Sequence, residues 1–374
     1  MSVATDKVMK KLEWEKIIEK LTMFTKTPLG QEISQALQPS AVVSKIKSGQ
    51  NETREAVDFL CQGAQVPLEG IDDIRPFVDL AQRGGVLSLQ ALAAIGRFLA
   101  LGRKVRTYLL TQREGSHFID IGASLPLMPQ LQSDLDRCIL SPDELADTAS
   151  PVLEQLRREA AKLENQIRDR LDEMIRSPSI QKYLQEALVT MRNERHVLPV
   201  KQEYRQQVPG IVHDQSASGA TLFVEPLAVF ELENRLREVQ AKEKREVERI
   251  LTELSSKVGQ GAETLVTLSL QLGQLDFVLA KGKLALAQEA SQPRISDDCY
   301  LELRQAKDPL LGKGVVPINI WLGRSFQTLV VTGPNTGGKT VLIKTVGLLV
   351  LMHQAGLQIP AQAGSELPVF KNVF

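Results

Sequence analysis

The sequence predicts a mainly α-helical protein with a multi-helix core, long antiparallel lever helices, a small β tip and the beginning of an α/β domain. Three patterns predict this class. Apolar residues recur at helical spacing over most of the chain. Residues 188–226 change to strand-favouring residues separated by turn sequences. Near residue 330 an apolar run leads directly into a glycine-rich loop.

The composition is that of a globular protein and excludes several classes. The chain has 374 residues, 43% of them hydrophobic and 24% charged, which is enough for two or three domains. Because 45 basic residues balance 45 acidic ones, nucleic-acid binding would have to come from local patches. The three cysteines form no close pair, as in proteins of a reducing cytoplasm. No signal sequence or membrane span is recognisable, so we expect a cytoplasmic protein without a membrane partner.

Residues 1–150 are predicted to form the helical core. Near the N-terminus Trp14, Ile17 and Leu21 recur at helical spacing. Further helical windows follow, such as residues 87–109, and glycines or prolines separate them. This part of the chain therefore consists of short helices that pack on one another.

Residues 151–257 are predicted to form two long lever helices with the β tip inserted at residues 188–226. In the first helix, apolar residues fall at steps of three or four and charged residues occupy the other faces. Those apolar residues are Ala160, Leu163, Ile167, Leu171 and Met174. A similar run follows Pro226. Helices of about 30 residues would extend about 45 Å, which favours an antiparallel arm over a compact core.

The remaining residues divide into a helical return and an α/β segment. Residues 258–296 are predicted to return to the helical core. Residues 297–374 change to short strands, which we place at residues 300–304, 315–320 and 328–332, and a helix begins near Lys339.

A phosphate-binding loop lies between the last of these strands and that helix. The pattern GxxxxGK[ST] is formed by Gly333, Pro334, Asn335, Thr336, Gly337, Gly338, Lys339 and Thr340. Glycines let backbone N–H groups turn inward around phosphates, and Lys339 would reach the β- and γ-phosphates. The Thr340 hydroxyl would ligate Mg²⁺. The pattern predicts ATP and Mg²⁺ as cofactors, and it makes residues 297–374 the N-terminal part of a P-loop ATPase domain.

Hydrolysis of ATP needs a further group that the sequence does not clearly supply. A P-loop ATPase uses a carboxylate on a later strand to organise Mg²⁺ and the attacking water. The one acid after Thr340 is Glu366, and its Ser-Glu-Leu-Pro context is unfavourable for a core strand. We therefore predict nucleotide binding, leave hydrolysis uncertain and assign no catalytic residue.

Two segments of the chain resemble the MutS family. Residues 332–349, with Met352 and residues 356–361 after them, are similar to the start of its ATPase domain. Residues 213–226, which read HDQSASGATLFVEP, resemble the second bacterial type, which lacks a mismatch-reading domain. The resemblance extends over nearly the whole chain. One departure is the segment 306–310, which reads AKDPL where the family usually has Arg-His-Pro.

The resemblance implies a homodimer with composite ATP sites and ATP-driven arm movement. It also implies binding to branched or structured DNA, in suppression of homologous recombination, or to collided ribosomes and their RNA. Full-length relatives would add ATP hydrolysis and endonuclease activity, the latter in a small C-terminal MutS-related domain. Because the second half of the ATPase domain and that nuclease domain would follow Phe374, we expect this chain to be truncated inside the ATPase domain.

The β tip carries the candidate nucleic-acid contacts. They are Arg192, Arg195, Lys201, Arg205, Ser216 and Ser218. Basic side chains could bind phosphates, and the serine hydroxyls could donate hydrogen bonds to them. The alternative is that the basic residues belong to solvated strand faces and that the serines serve ordinary turns.

Two rival functions remain open at this stage. A chromosome-organising ATPase of the structural-maintenance type also joins a P-loop to coiled coils, but such proteins place the loop near the N-terminus, whereas here it begins at Gly333. The second rival is a scaffold that binds nucleic acid or ribosomes without any response to nucleotide.

Overall fold

The computed structural model describes residues 3–112, 117–312, 314–333 and 338–374. The protein is mainly helical with small sheets, which confirms that part of the predicted fold class. Contacts between Cα atoms divide it into two compact units. The first comprises Met1–Asp79, Ala94–Met128 and Gly261–Phe374, and the second comprises Leu80–Ala93 and Pro129–Gln260.

The helices, in chain order, are α1 (Asp6–Lys11), α2 (Trp14–Thr22), α3 (Pro28–Gln35), α4 (Val43–Cys61), α5 (Arg75–Gln82), α6 (Leu89–Leu110), α7 (His117–Ser124), α8 (Pro129–Cys138), α9 (Pro151–Arg176), α10 (Pro178–Gln181), α11 (Leu227–Gln260), α12 (Ala262–Ala287) and α13 (Lys339–Gln354). The strands are β1 (Ile139–Ser141), β2 (Glu144–Leu145), β3 (Thr190–Arg192), β4 (Arg195–Lys201), β5 (Gly210–Gln215), β6 (Thr221–Pro226), β7 (Arg294–Ser296), β8 (Leu301–Ala306), β9 (Ile318–Leu322) and β10 (Glu366–Pro368). Over the described residues, none of the helices combines the length and the apolar character that crossing a bilayer requires.

Helix α12 is the centre of the first unit. Its sequence is apolar on nearly every face, as expected for a helix surrounded by others, and it packs on α3 and α4. Glycines make these contacts close: a Cβ atom on Gly282 would lie 2.8 Å from Cβ of Ala56, and one on Gly273 would lie 2.6 Å from Cγ of Leu29. The absence of a side chain at these glycines therefore sets the spacing of the three helices.

A buried carboxylate on α12 also fixes the start of α3. Oδ2 of Asp276 accepts hydrogen bonds from the backbone N–H groups of Lys26 and Thr27, both at 2.7 Å, and from the Thr27 hydroxyl at 2.9 Å. Thr27 is the N-cap of α3 and accepts a bond from the Gly30 N–H. Burial raises the pKa of Asp276, and the hydrogen bonds that it accepts oppose this rise.

The first unit also contains a four-stranded sheet in the order β7-β10-β8-β9. Strands β8 and β9 confirm two of the strands predicted here, with bounds shifted by one to three residues. The expectation that Glu366 lies in a poor strand context is wrong, because β10 pairs with β7 in parallel and with β8 antiparallel. Pairing on both sides compensates for the proline that ends this short strand.

The strand predicted over residues 328–332 is not formed. In the described part of the chain no strand pairs with this segment, and the side chains of Leu329 and Val330 are 44% and 75% exposed. The segment has the apolar, β-branched composition of a buried strand, but a strand of that kind is stabilised by neighbours that satisfy its backbone groups. Composition alone therefore predicted a strand that lacks its partners.

Helices α9 and α11 pack against each other in the second unit, and they run antiparallel as predicted. Near the start of α9, Nε of Arg157 lies 2.9 Å from Glu243, whereas Glu159, further along α9, lies 2.7 Å from Arg235 of α11. A later residue of α9 thus contacts an earlier residue of α11, as expected for antiparallel helices. Four of the predicted seam residues of α9 are buried, namely Ala160, Leu163, Ile167 and Leu171.

The segment between these helices forms an antiparallel sheet in the order β3-β4-β6-β5. The prediction that residues 188–226 have β character is confirmed. On one face, Leu198, Val200 and Val224 are buried in a cluster with Leu171 of α9 and Val229 of α11. The sheet is therefore packed onto the helix pair. The short pair β1 and β2 was not predicted.

Candidate nucleotide site and basic sheet

Four of the eight predicted loop residues are described: Gly333, Gly338, Lys339 and Thr340. Pro334, Asn335, Thr336 and Gly337 lie outside the described residues. Gly333 has φ +147° and Gly338 has φ +77°, a backbone region that side chains with a Cβ atom rarely adopt. No described atom lies within 4 Å of the position that a Cβ on Gly338 would take, so backbone conformation, and not crowding, requires glycine there.

Lys339 folds back across the loop. Its Nζ atom donates a hydrogen bond to the carbonyl oxygen of Gly333, six residues earlier. Gly338 is the N-cap of α13, which begins at Lys339, and Thr340 is exposed in the first turn. The first N–H groups of a helix have no partner within the helix, and its N-terminus carries partial positive charge. The ammonium group and these N–H groups suit a phosphate, so the described residues fit the nucleotide that the loop pattern predicts.

Helix α13 is held in place by polar contacts two turns after the loop. The hydroxyl of Thr345 donates a hydrogen bond to Asp308 at 2.8 Å, and the other carboxylate oxygen of Asp308 accepts one from the Leu310 N–H at 2.8 Å. Asp308 and Thr345 are both buried. The preceding residue, Lys344, forms an ion pair of 2.9 Å with Glu13.

Glu13 joins this helix to the N-terminal helices. It lies between α1 and α2 in the left-handed region, with φ +59°, and it also contacts Lys16 at 2.5 Å. Hydrogen bonds from Lys16 and Lys344 lower the pKa of Glu13 to about 2. Nearby, a Cβ atom on Gly347 would lie only 2.8 Å from Leu12. The helix after the phosphate loop is thus fixed against α2 by both charge and close packing.

The far end of α13 carries a buried histidine. Nε2 of Gln50 lies 2.8 Å from Nδ1 of His353, and burial lowers the pKa of His353 to about 4. His353 is therefore neutral at pH 7, and Nδ1 accepts this hydrogen bond. Its role is structural.

The basic residues of the small sheet fall into two groups, and the first is occupied by protein partners. Arg195 lies 2.9 Å from the fully buried Glu225 and donates to the Asn234 side chain at 2.8 Å. Arg205 donates to the carbonyl oxygens of Val208 and Gly210 at 3.1 and 2.6 Å. The sheet itself thus uses the hydrogen-bonding capacity of these two arginines.

The second group is more accessible. Arg192 lies 3.3 Å from Asp214, with its guanidinium 4.3 Å above the Phe223 ring, and about two fifths of its side chain is exposed. Lys201 donates to the Lys182 carbonyl at 3.2 Å from an exposed position. These bonds compete with water, so either cation could exchange its present partner for a phosphate at little cost.

Ser216 and Ser218 lie in the turn between β5 and β6. Their hydroxyl oxygens are 3.3 Å apart, and the Ser216 hydroxyl accepts a bond from the Thr221 N–H at 3.0 Å. Ser216 therefore has the turn-forming role that was its alternative interpretation. Ser218 is exposed.

Comparisons with known proteins give closely similar sequences. The chain is 45% identical over 373 residues to the endonuclease MutS2 of a Geobacillus species, which covers 98% of the chain and 48% of that relative. The corresponding protein of Pelotomaculum thermopropionicum is 44% identical over 369 residues (98% and 47%), and that of Acetivibrio thermocellus is 41% identical over 374 residues (99% and 47%). The chain belongs to the second bacterial type of the MutS family.

Membership of the MutS family is thus established by individual relatives over almost the whole chain. No family model matches the chain. The chain spans about half the length of the curated relatives that it matches.

The departure from the MutS family pattern at residues 306–310 has a structural role here. Asp308 holds Thr345 of α13, and the carbonyl oxygen of the next residue, Pro309, accepts a bond from Lys20 of α2 at 2.8 Å. The segment therefore links the helix after the phosphate loop to the N-terminal helices, although it lacks the family's Arg-His-Pro residues.

Sequence reasoning missed the buried carboxylates that organise the small sheet of this MutS family chain. Glu225 accepts from Arg195 and lies 2.6 Å from Nε2 of His213, while Glu233 of α11 lies 2.6 Å from Nδ1 of His196. A signal existed for Glu233, because it falls four residues after Val229 and three before Leu236, on the buried face of the helix.

Proposed function

We propose that the chain binds ATP with Mg²⁺ at the loop of residues 333–340. In this proposal the backbone N–H groups of the loop hold the phosphates, Lys339 contacts the β- and γ-phosphates, and Thr340 ligates Mg²⁺. Bound Mg²⁺ would neutralise phosphate charge and fix the geometry of the triphosphate. The remaining loop residues, Pro334, Asn335, Thr336 and Gly337, would complete the phosphate cradle.

The hydrogen bond from Lys339 to Gly333 is the observation that carries this proposal. It places the ammonium group across the loop from the N-terminus of α13, where a phosphate would meet both. A lysine that only solubilises a surface would point into water. Here a phosphate would replace the Gly333 carbonyl as the partner of the ammonium group, with stronger charge-assisted bonds.

We further propose that nucleotide controls the binding of structured DNA or ribosomes by the sheet of residues 190–226, in a homodimer. The relatives are named endonucleases, which supports nucleic acid as a partner. Arg192, Lys201 and Ser218 are the accessible contacts in this proposal, whereas Arg195, Arg205 and Ser216 maintain the shape of the sheet. We assign no residue of this chain to ATP hydrolysis or to cleavage of nucleic acid.

A nucleotide-independent scaffold is the second candidate function. One observation favours it: Glu366, the one acidic residue after Thr340 in the sequence, belongs to β10 and lies 3.9 Å from Arg324. Its carboxylate therefore already faces a cation of its own sheet. A chain of this kind would bind nucleic acid or ribosomes equally with and without ATP.

Titration with a fluorescent ATP analogue tests the nucleotide site. We expect Lys339→Ala to weaken binding at least about tenfold, since a hydrogen bond to a charged group is worth about 1.5–3 kcal/mol. Lys371→Ala removes the same charge from an exposed position near the C-terminus and should leave affinity unchanged. Equal affinity of the Lys339 variant and the parent chain would contradict the proposal.

Binding of labelled branched DNA and of ribosomes, with and without ATP, tests the partner. If ATP changes binding only in chains that retain Lys339, the loop controls the interaction, and the tighter substrate identifies the partner. Arg192→Ala with Lys201→Ala should weaken binding and reduce its salt dependence by about one counterion per lost phosphate contact. Lys244→Ala, on the exposed side of α11, is the matched control. Binding that ignores ATP and Lys339 would favour the scaffold.

A further inference from the structure

A cavity of about 530 Å³ lies within the first compact unit, and none of its lining residues belongs to the phosphate loop. The end of α4, the segment after it, α6 and α12 form its walls. Its apolar lining is aliphatic and includes Leu60, Ala64, Val66, Leu68, Leu101 and Leu279. The volume lies in the range of small-molecule sites, which are commonly lined by apolar side chains with a few polar groups.

The charged lining of this cavity is mostly basic. Lys26, Lys104 and Lys283 line it together with a single acid, Glu69. Glu69 pairs with Lys26 at 3.2 Å, and its side chain is 81% exposed. Over the part of the chain that the structure describes, neither Lys104 nor Lys283 has a carboxylate within ion-pair distance. Exposed Lys104 and half-buried Lys283 therefore both line the cavity without an ion-pair partner.

Of these two lysines, Lys283 is the one whose charge is partly removed from water, which reduces the stability of the fold. It projects from α12 and is half-buried, and burial lowers the pKa of its ammonium group, although Asp276 and Glu69 act in the opposite direction. A half-buried cation without a hydrogen-bonded counterion reduces stability relative to a neutral side chain of the same size. An anion in the cavity would remove that penalty and gain charge-assisted hydrogen bonds.

We propose that this cavity binds a small amphipathic anion, with its acidic head on Lys104 and Lys283 and its aliphatic body against Leu60, Leu101 and Leu279. The lining favours this class over a nucleotide, because its described residues include no aromatic ring on which a base could stack. The site is independent of the proposed nucleotide loop.

Calorimetric titration of the full chain with octanoate tests the proposal. Octan-1-ol has the same aliphatic body without the charge, and acetate has the head without the body. We expect octanoate to bind at least about tenfold more tightly than either, because burial of the chain and pairing of the carboxylate each add affinity. Equal affinity for octanol and octanoate would overturn the role of the lysines, and equal affinity for acetate would overturn the role of the aliphatic walls.

Variants locate the site. Lys283→Met keeps an unbranched side chain without the charge, and we expect it to weaken octanoate binding about tenfold while raising thermal stability. Lys104→Met should weaken binding without altering stability. Lys47→Met is the control: it removes an exposed lysine of α4, thirteen residues before Leu60, or about 20 Å along the helix. Octanoate binding that survives both cavity variants would overturn the proposal.

A substitution that fills the cavity gives a test without any change of charge. Ala64 lies in the segment after α4 and is partly exposed, so Ala64→Phe can be accommodated by occupying the cavity. We expect it to abolish octanoate binding and to leave binding of the ATP analogue unchanged. Unchanged octanoate affinity in this variant would place the anion elsewhere and overturn the assignment.

Discussion

Helices α11 and α12 are consecutive in the chain but are stabilised in different ways. Sixteen of the 26 residues of α12 are buried, and its neighbours approach closely at glycines. Only eight of the 34 residues of α11 are buried. Val229, Leu236 and Val239 belong to the cluster shared with α9 and the sheet, whereas Ser255 accepts a hydrogen bond from the Leu87 N–H. The contribution of a helix to stability therefore depends on how many of its faces are buried from water, and not on its length.

The polar residues of the two helices differ in the same sense. Asp276 and Lys281 of α12 are buried and make specific bonds, the latter with Glu52 at 2.8 Å. The charged pairs between α9 and α11, such as Arg235 with Glu159, are partly exposed to solvent. Removal of a buried partner leaves an unsatisfied group, whereas removal of an exposed one leaves it to water.

The largest expected effect is a cavity substitution in α12. Leu275→Ala should lower the free energy of unfolding by about 3 kcal/mol, because Leu275 is buried on a helix whose neighbours cannot easily collapse. Leu270→Ala is the matched control on the exposed face of the same helix and should cost less than about 0.5 kcal/mol. Denaturant unfolding measures both values. Similar losses in the two variants would contradict the assignment of a buried and an exposed face.

The next effect is at Asp276. Asp276→Ala removes three hydrogen bonds and should destabilise the first unit by about 2 kcal/mol. The folded pKa of this group lies above its unfolded value, so its contribution is greatest at low pH and is lost as pH rises from about 3.9 through the folded pKa.

Asp276→Asn is the control for this pH dependence. The amide retains an oxygen that can accept the same bonds but cannot ionise, so its stability should fall less over that pH range than that of the parent chain. Thermal unfolding measured from pH 4 to pH 8 gives the comparison. Parallel curves for the two chains would show that Asp276 does not titrate as proposed.

A smaller effect is expected where α11 meets the sheet. The hydrogen bond to Glu233 raises the pKa of His196. This contribution is full below the unfolded histidine pKa of about 6.5 and is lost as pH rises through the folded value, with a magnitude of about 1 kcal/mol or less. Hydrogen exchange in α11 and β4 should therefore become faster between pH 6 and pH 8, after correction for intrinsic rates. Glu233→Gln should remove that change, and its persistence would assign it to another group.

The smallest effect is at the exposed face of the helix pair. Arg235→Ala should change the free energy of unfolding by less than about 0.5 kcal/mol, because the ion pair with Glu159 is exposed and screened by salt. Unfolding at low and high salt measures this contribution. A loss of 2 kcal/mol or more would show that substitution on the surface of α11 lowers the free energy of unfolding as much as substitution in the interior of α12. That result would contradict the proposed difference between the two helices.

The sequence predicted the elements whose pattern is local. The seam of α9, with Leu163 and Ile167 among its buried residues, follows directly from helical periodicity. The β character of residues 188–226 was predicted from strand-favouring residues between turn sequences, and the phosphate-loop pattern was recognisable without any structure. By contrast, the local sequence did not indicate that residues 328–332 would remain unpaired, because a strand depends on neighbouring strands that its own sequence does not specify.

By itself the sequence determined the helical periodicity, the loop pattern of residues 333–340 and, through its close relatives, the family. Only the tertiary structure decided which polar groups serve the fold and which remain accessible. Arg195 appeared equivalent to Arg192 until Glu225 was found beside it, and Asp276 acquired its role from Thr27, 249 residues away. The physical reason is that the state of a charged group depends on solvent exposure and on its partners, and both are set by chain segments that meet only on folding.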